Sequence, residues 1–309
     1  MKGERGRAVS GLYTFIKKGA RIIHFSKHLK QSPKEIIERS KKENLWRGLP
    51  DLYDSELDIC VESICGRPVL CMIHHETAGK AIMYMVGGGF VKAPRHEAIQ
   101  RAVRMAKITR KDVFIPYYPL CTDYPVSRAY DMVLETYRFI LERYEPENIC
   151  FLGTSAGGTL ALGLIAHMNA TGSDLPKPKE IFALSPGTCP KDKAEYRLMK
   201  AHDSTDFMIP AKFLHTMEKL MRHGSDTVKD YMVYLRDGDY TDCPPVRLVY
   251  ADTETLYGGC PGIEAALKKY GVSYQKIVGK GMFHCYPIYL APKESLEANN
   301  RLMERLKAC

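Results

Sequence analysis

The chain has 309 residues, 45% of them apolar and 26% charged, with a formal net charge of +9. This is the composition of an ordinary globular protein, and the length fits one large α/β domain with an appended element, or two modest domains. The charge is not spread evenly: residues 1–50 carry thirteen Lys and Arg against four Glu, whereas the remainder balances 32 basic against 32 acidic residues. That distribution argues against a basic catalytic domain built for nucleic acid.

The basic N-terminus, MKGERGR, is followed by no apolar stretch of signal-peptide length, and GLYTFIKKGARIIHF is interrupted by Lys17, Lys18 and Arg21. No run approaches the roughly 20 apolar residues of a membrane span. The expectation is a soluble cytoplasmic protein. The ten cysteines form no CxxC pair, and several sit in apolar runs, so they read as reduced, mostly buried thiols in a reducing compartment.

In chain order, residues 10–30 place Leu12, Phe15, Ile16, Ile22, Ile23 and Leu29 at helical spacing, with lysines mostly off that stripe. A second helix is predicted at SPKEIIERSKKENLW, with Ser32 as cap, Pro33 as first helical residue and Glu35 in the first turn. DICVESICG and PVLCMIHHE read as strands, and TAGK reads as a hairpin turn into the strand AIMYMV. His74 and His75 with Cys71 suggest a metal site only weakly, because adjacent histidines on a strand point to opposite faces.

Helical periodicity returns in RHEAIQRAVRMAKIT, and DVFIPYY is a short strand. From there helix and strand alternate: SRAYDMVLETYRFILERY, NICFLG, TLALGLIAHMNATG, KEIFALSP. Such alternation predicts a mainly parallel sheet with helices on both faces, the leading antiparallel hairpin being an edge feature. Residues from Thr188 to about Asp242 break the pattern with the helix PAKFLHTMEKLMRHG, as an insertion above the sheet would. PPVRLVYA, GCPGIEAALKKYGV, YQKIVG and KESLEANNRLMERLKA then complete the chain as strand, helix, strand and helix.

The chemistry centres on Gly153-Thr154-Ser155-Ala156-Gly157, a G-x-S-x-G set between a strand and a helix. A turn that sharp strains the serine backbone and demands small neighbours, and it exposes the hydroxyl above the carboxyl edge of the sheet. The run VGGGF, Val86 to Phe90, leaves backbone N–H groups free to approach a ligand, where with the N–H of Ala156 they can hold an oxyanion. His284 follows the last strand, where an imidazole can swing over the sheet edge toward the serine. Asp252 and Glu254 both lie after a strand between serine and histidine, and spacing alone does not choose the carboxylate that orients His284.

These segments together resemble an α/β-hydrolase of the hormone-sensitive-lipase-like esterase/lipase group, in its GTSAG-type branch, from about Asp58 to the C-terminus. GTSAGG matches the nucleophile elbow, Gly87-Gly88-Gly89-Phe90 most of the HGGGF oxyanion motif, PPVRLVYADTETL the acid loop and GMFHCYPIY the histidine motif. Val86 stands where the family has His, and Pro119 where it has Arg. The resemblance implies the α/β-hydrolase fold over residues 51–309, with a helical cap made from residues 1–50 and an insertion at about 189–240. It implies a Ser155–His284–Glu254 triad, Glu254 being the acid followed two residues later by Leu256, with Gly88 and Gly89 joining Ala156 in the oxyanion hole.

The implied activity is a serine carboxylesterase acting on short- to medium-chain acyl esters through an acyl-enzyme, needing no metal or organic cofactor. An amidase or peptidase using the same triad, and a non-catalytic small-molecule-binding member of the fold, are the alternatives. The expected partner is a small-molecule ester rather than a nucleic acid. The stripe on residues 1–30 suits either packing onto the domain or weak contact with a membrane surface.

Overall fold

The structure, a computed structural model, describes residues 32–44, 54–76 and 78–309. The expected helix at residues 10–30, with the rest of the basic arm before Ser32, lies outside the described residues. Ser32 opens α1 (Pro33–Glu43): its hydroxyl accepts from the Glu35 N–H while the Glu35 carboxylate accepts from the Ser32 N–H, a reciprocal cap.

The strands β1 (Leu57–Ile64), β2 (Arg67–His74), β3 (Ala81–Met85), β4 (Asp112–Pro116), β5 (Ile149–Thr154), β6 (Glu180–Leu184), β7 (Val246–Ala251) and β8 (Tyr274–Gly279) form one eight-stranded sheet in the order β1-β2-β4-β3-β5-β6-β7-β8. β2 is antiparallel to both of its neighbours, and every pairing from β4–β3 to β7–β8 is parallel. β3, β4 and β5 are buried along their whole length. This is why they read as continuous apolar runs, without the alternation of a half-exposed strand.

The helices between them are α2 (His96–Thr109), α3 (Ser127–Leu141), α4 (Ala156–Thr171), α5 (Lys193–Lys200), α6 (Ala211–Arg222), α7 (Asp230–Val233), α8 (Cys260–Lys269) and α9 (Lys293–Ala308). One buried cluster brings α3 and α4 together on one face of the sheet, and a second brings α2 and α9 together on the other. α4 is buried without interruption from Ala156 to Met168, as expected of a helix apolar all round. The insertion between β6 and β7 holds three helices, α5 to α7, where the sequence had suggested one.

Two expectations are corrected. The short connection after β2 is not a hairpin turn into β3: β4 lies between them in the sheet, and β3 pairs in parallel with β4 and β5. A glycine-containing link between two apolar strands carries the local signal of a hairpin, but β3 is buried on both faces and belongs at the centre. The cysteines are not all reduced: Cys150, on β5, is bonded to Cys309, 159 residues away, and the other eight are free. The paired histidines do face opposite ways, His74 buried against Asp112 and His75 half-exposed beside Asp58. Among the described residues no helix is long and apolar enough to cross a membrane.

Candidate active site

β5 ends at Thr154 and α4 begins at Ala156, so the whole reversal falls on Ser155, which takes φ 53° and ψ −123°. A non-glycine residue in that region is strained and persists only when its surroundings enforce it. They do so through the Ser155 N–H, which donates to Leu184 O at 2.8 Å, and through two glycines that permit close backbone contact. A Cβ on Gly153 would sit 2.2 Å from Gly157 O, and one on Gly157 would sit 1.9 Å from Met85 O. The glycines of G-x-S-x-G are therefore a packing requirement of the turn.

The glycine run follows β3, the neighbour of β5, with Met85 opposite Gly153 in the ladder. Three contacts hold it. Tyr118 Oη donates to Val86 O at 2.6 Å, Gly87 N donates to Thr154 Oγ1 at 3.0 Å, and Gly88 O accepts from the N–H groups of Val91 and Lys92. Among the described residues no acceptor takes the N–H groups of Gly88, Gly89 or Ala156, which leaves them as donors beside the serine.

His284 lies in the turn after β8 and is 6% exposed. Its Nδ1 is 2.6 Å from Oε2 of Glu254, a residue with no exposure at all. The other carboxylate oxygen of Glu254 accepts from Ala251 N at 2.7 Å and from Ser185 Oγ at 2.8 Å. Asp252 is engaged elsewhere. Its Oδ1 accepts from Gly281 N at 2.6 Å and so ties down the histidine turn. Of the two carboxylates left open by spacing, Glu254 is the one joined to the imidazole.

Ser155 and His284 line one cavity of about 400 Å³, together with Gly87, Gly88 and Gly89. Phe213, Leu214, Met217 and Met221 of α6 give it an apolar wall. The Ser155 hydroxyl and the imidazole are not hydrogen-bonded to each other; His284 Nε2 is 3.6 Å from Cys285 Sγ. Burial opposes a charge on His284, but the Cys285 sulfur and the Glu254 carboxylate outweigh it and hold its pKa well above the ordinary histidine value.

Tyr118, Thr154, Ser185 and Cys285 all touch these groups and were not singled out from the sequence. Thr154 and Cys285 carried a signal, since they are adjacent to Ser155 and His284 within the elbow and histidine motifs. The arrangement as a whole is a serine at a helix N-terminus, a buried imidazole–carboxylate pair and a set of free main-chain donors opening on one cavity.

The fold recurs among solved structures. EstE5 soaked in ethyl alcohol superimposes with a TM-score of 0.80 at 18% identity, over 97% of this chain and 100% of that one. An esterase from the bacterial hormone-sensitive lipase family superimposes at 0.76 and 19% identity, over 98% and 99% of the two chains. By sequence, the chain is 28% identical to the esterase LipU of Mycobacterium tuberculosis over 143 residues, 46% of each protein. It is 32% identical to the carboxylesterase/phospholipase LipF of the same organism over 110 residues, 35% of this chain and 29% of that one. The matched region thus spans less than half the length of these curated relatives. The family model described as alpha/beta hydrolase fold matches residues 82–288, from the strand before the glycine run to just past His284. That is well over half of the chain, and with the elbow, the donors and the imidazole–carboxylate pair all inside it, the chain belongs to the alpha/beta hydrolase fold family.

Proposed function

We propose that this chain is a serine carboxylesterase for short- to medium-chain acyl esters. The observation that carries the reading is the convergence of Ser155 and the His284–Glu254 pair on one apolar-walled cavity, beside the unused N–H groups of Gly88, Gly89 and Ala156.

Ser155 Oγ attacks the ester carbonyl while His284 Nε2 takes its proton. Glu254 fixes the imidazole tautomer and stabilises its charged form, and the three N–H groups receive the oxyanion. His284 then returns the proton to the departing alcohol, and water repeats the sequence on the acyl-enzyme. The serine–imidazole hydrogen bond that this step needs forms as substrate arrives.

We assign residues 1–50 and about 189–240 as the cap over this centre. Supporting this, α6 of the insertion supplies Phe213, Leu214, Met217 and Met221 to the cavity, and Asn44, just past α1, bonds to Val91 and Ala93 after the glycine run. The charge of residues 1–50 favours weak contact with an anionic lipid surface, and vesicle binding that falls with salt and on deletion of residues 1–30 tests that part. A cytoplasmic setting is supported by the eight free cysteines and requires the Cys150–Cys309 bond to survive there.

The deciding experiment is hydrolysis of a nitrophenyl-acyl ester series, with matched anilides, by wild type and Ser155→Ala. The expected result is ester turnover that falls by on the order of 10⁶ in the variant, with fluorophosphonate labelling that maps to Ser155. Equal inactivity of both proteins on every ester would leave a binding protein as the better reading.

A further inference from the structure

The end of β6 touches the carriers of all three groups just described. Leu184 O accepts the N–H of Ser155 at 2.8 Å. One residue on, Ser185 Oγ donates to Glu254 Oε1 at 2.8 Å and accepts the N–H of Cys285, next to His284, at 3.0 Å. Ser185 is 1% exposed, and its own N–H is held by Val249 O of β7 at 2.6 Å. Its φ of 47° is in the left-handed region, where a side chain is tolerated only under constraint. A hydroxyl offers one donor, and here that donor and the acceptor are both spent on the segments that carry the acid and the base.

We propose that Ser185 is a positioning residue for the hydrolytic reaction, a clamp that fixes the carboxylate and the histidine turn relative to each other; this rests on the esterase reading above. Ser185 and the Ala251 N–H together occupy Oε1 of Glu254, which leaves Oε2 for His284 Nδ1. The same hydroxyl holds the main chain directly after the imidazole. Its O–H also draws charge from the carboxylate and so moderates the proton affinity of His284. Without it, the charge on Glu254 is more concentrated, His284 binds its proton more tightly, and less neutral imidazole is present to act as base.

The test uses the full chain as Ser185→Ala, with Ser185→Gly as a second variant because glycine accepts the left-handed backbone. Each is also combined with Glu254→Gln. Expected results are a kcat about 10- to 100-fold lower, KM within about twofold of wild type, and an acid limb of kcat/KM displaced to higher pH. In the Glu254→Gln background the further loss should be small, because a residue acting through Glu254 has little left to act on.

Nitrogen-15 NMR titration of the His284 imidazole gives a readout independent of turnover, and its midpoint should rise in both Ser185 variants. An unchanged midpoint and pH profile, with losses that multiply fully with Glu254→Gln, would reduce Ser185 to ordinary packing and overturn the proposal. Failure of the esterase reading looks different: wild type and Ser155→Ala would be equally inactive, while the titration would still decide the clamp.

Discussion

Glu254 Oε2 lies 2.6 Å from His284 Nδ1, and the carboxylate that makes this contact is sealed from solvent. A neutral amide at that position keeps the shape but favours the wrong imidazole tautomer. Glu254→Gln is therefore expected to lower kcat by about 10³- to 10⁴-fold with little change in KM. Asp252→Asn keeps an oxygen for the Gly281 N–H and should stay within about threefold of wild type, the cost of weakening one part-buried hydrogen bond. Steady-state kinetics on one butyrate ester compares the two.

The raised pKa of His284 sets two pH dependences. Catalysis needs the neutral imidazole, so kcat/KM should fall on the acid side with a midpoint above the ordinary histidine value of about 6.5. Replacing the neighbouring sulfur, Cys285→Ala, should move that midpoint to lower pH. Stability runs the other way. A group whose pKa is higher in the folded state stabilises the fold fully below its unfolded value, and the contribution is lost as pH rises through the folded value. Melting temperature should consequently decline above about pH 6.5, and the decline should be shallower in His284→Gln. Melting curves at a series of pH values check the sign.

Val86 replaces the family histidine before the three glycines, and the structure holds the loop by other means. The Tyr118 hydroxyl bonded to Val86 O is buried, and burial pushes its pKa above the ordinary tyrosine range. Tyr118→Phe leaves that carbonyl without its donor, at a cost of about 1 kcal/mol. The expectation is a kcat about 5- to 10-fold lower, with fluorophosphonate labelling of Ser155 slowed in proportion. Equal labelling rates would mean that the loop holds without this bond.

The bond between Cys150 and Cys309 closes a span of 159 residues, which in the chain-entropy account stabilises the fold by up to about 5 kcal/mol. Reduction, or Cys309→Ser, should lower the melting temperature by up to on the order of 10 °C. Activity at room temperature should persist, since neither sulfur lines the cavity. Calorimetry with and without reductant measures the difference.

How much of this was legible beforehand depended on whether a feature is local. The elbow was readable because its sterics are written in five consecutive residues, and His284 because it follows the last strand late in the chain, after the serine. The choice between Asp252 and Glu254 was not readable from spacing: both lie in the same loop, and only the folded chain separates the one at the imidazole from the one at the Gly281 N–H. Ser185 gave no sign, because a serine before a proline at a strand end looks like any turn residue. The misplaced hairpin and the disulfide share one cause: neither the insertion of β4 between β2 and β3 nor a contact across 159 residues leaves a mark on neighbouring letters.

Met85 and Gly153 are partners in the β3–β5 ladder, so the strand that leads into the glycine run and the strand that leads into Ser155 end side by side. The repeat between hydrogen-bonded strands, ~4.8 Å, sets where the two segments leave the sheet, and the bonds to Val86 O and Gly87 N hold the glycines beyond that point. The helices α5 to α7, which lie beyond Ser185 between β6 and β7, can be lengthened or reshaped without moving either exit point. On the esterase reading, substrate preference is thereby free to diverge above exit points that the backbone has already set.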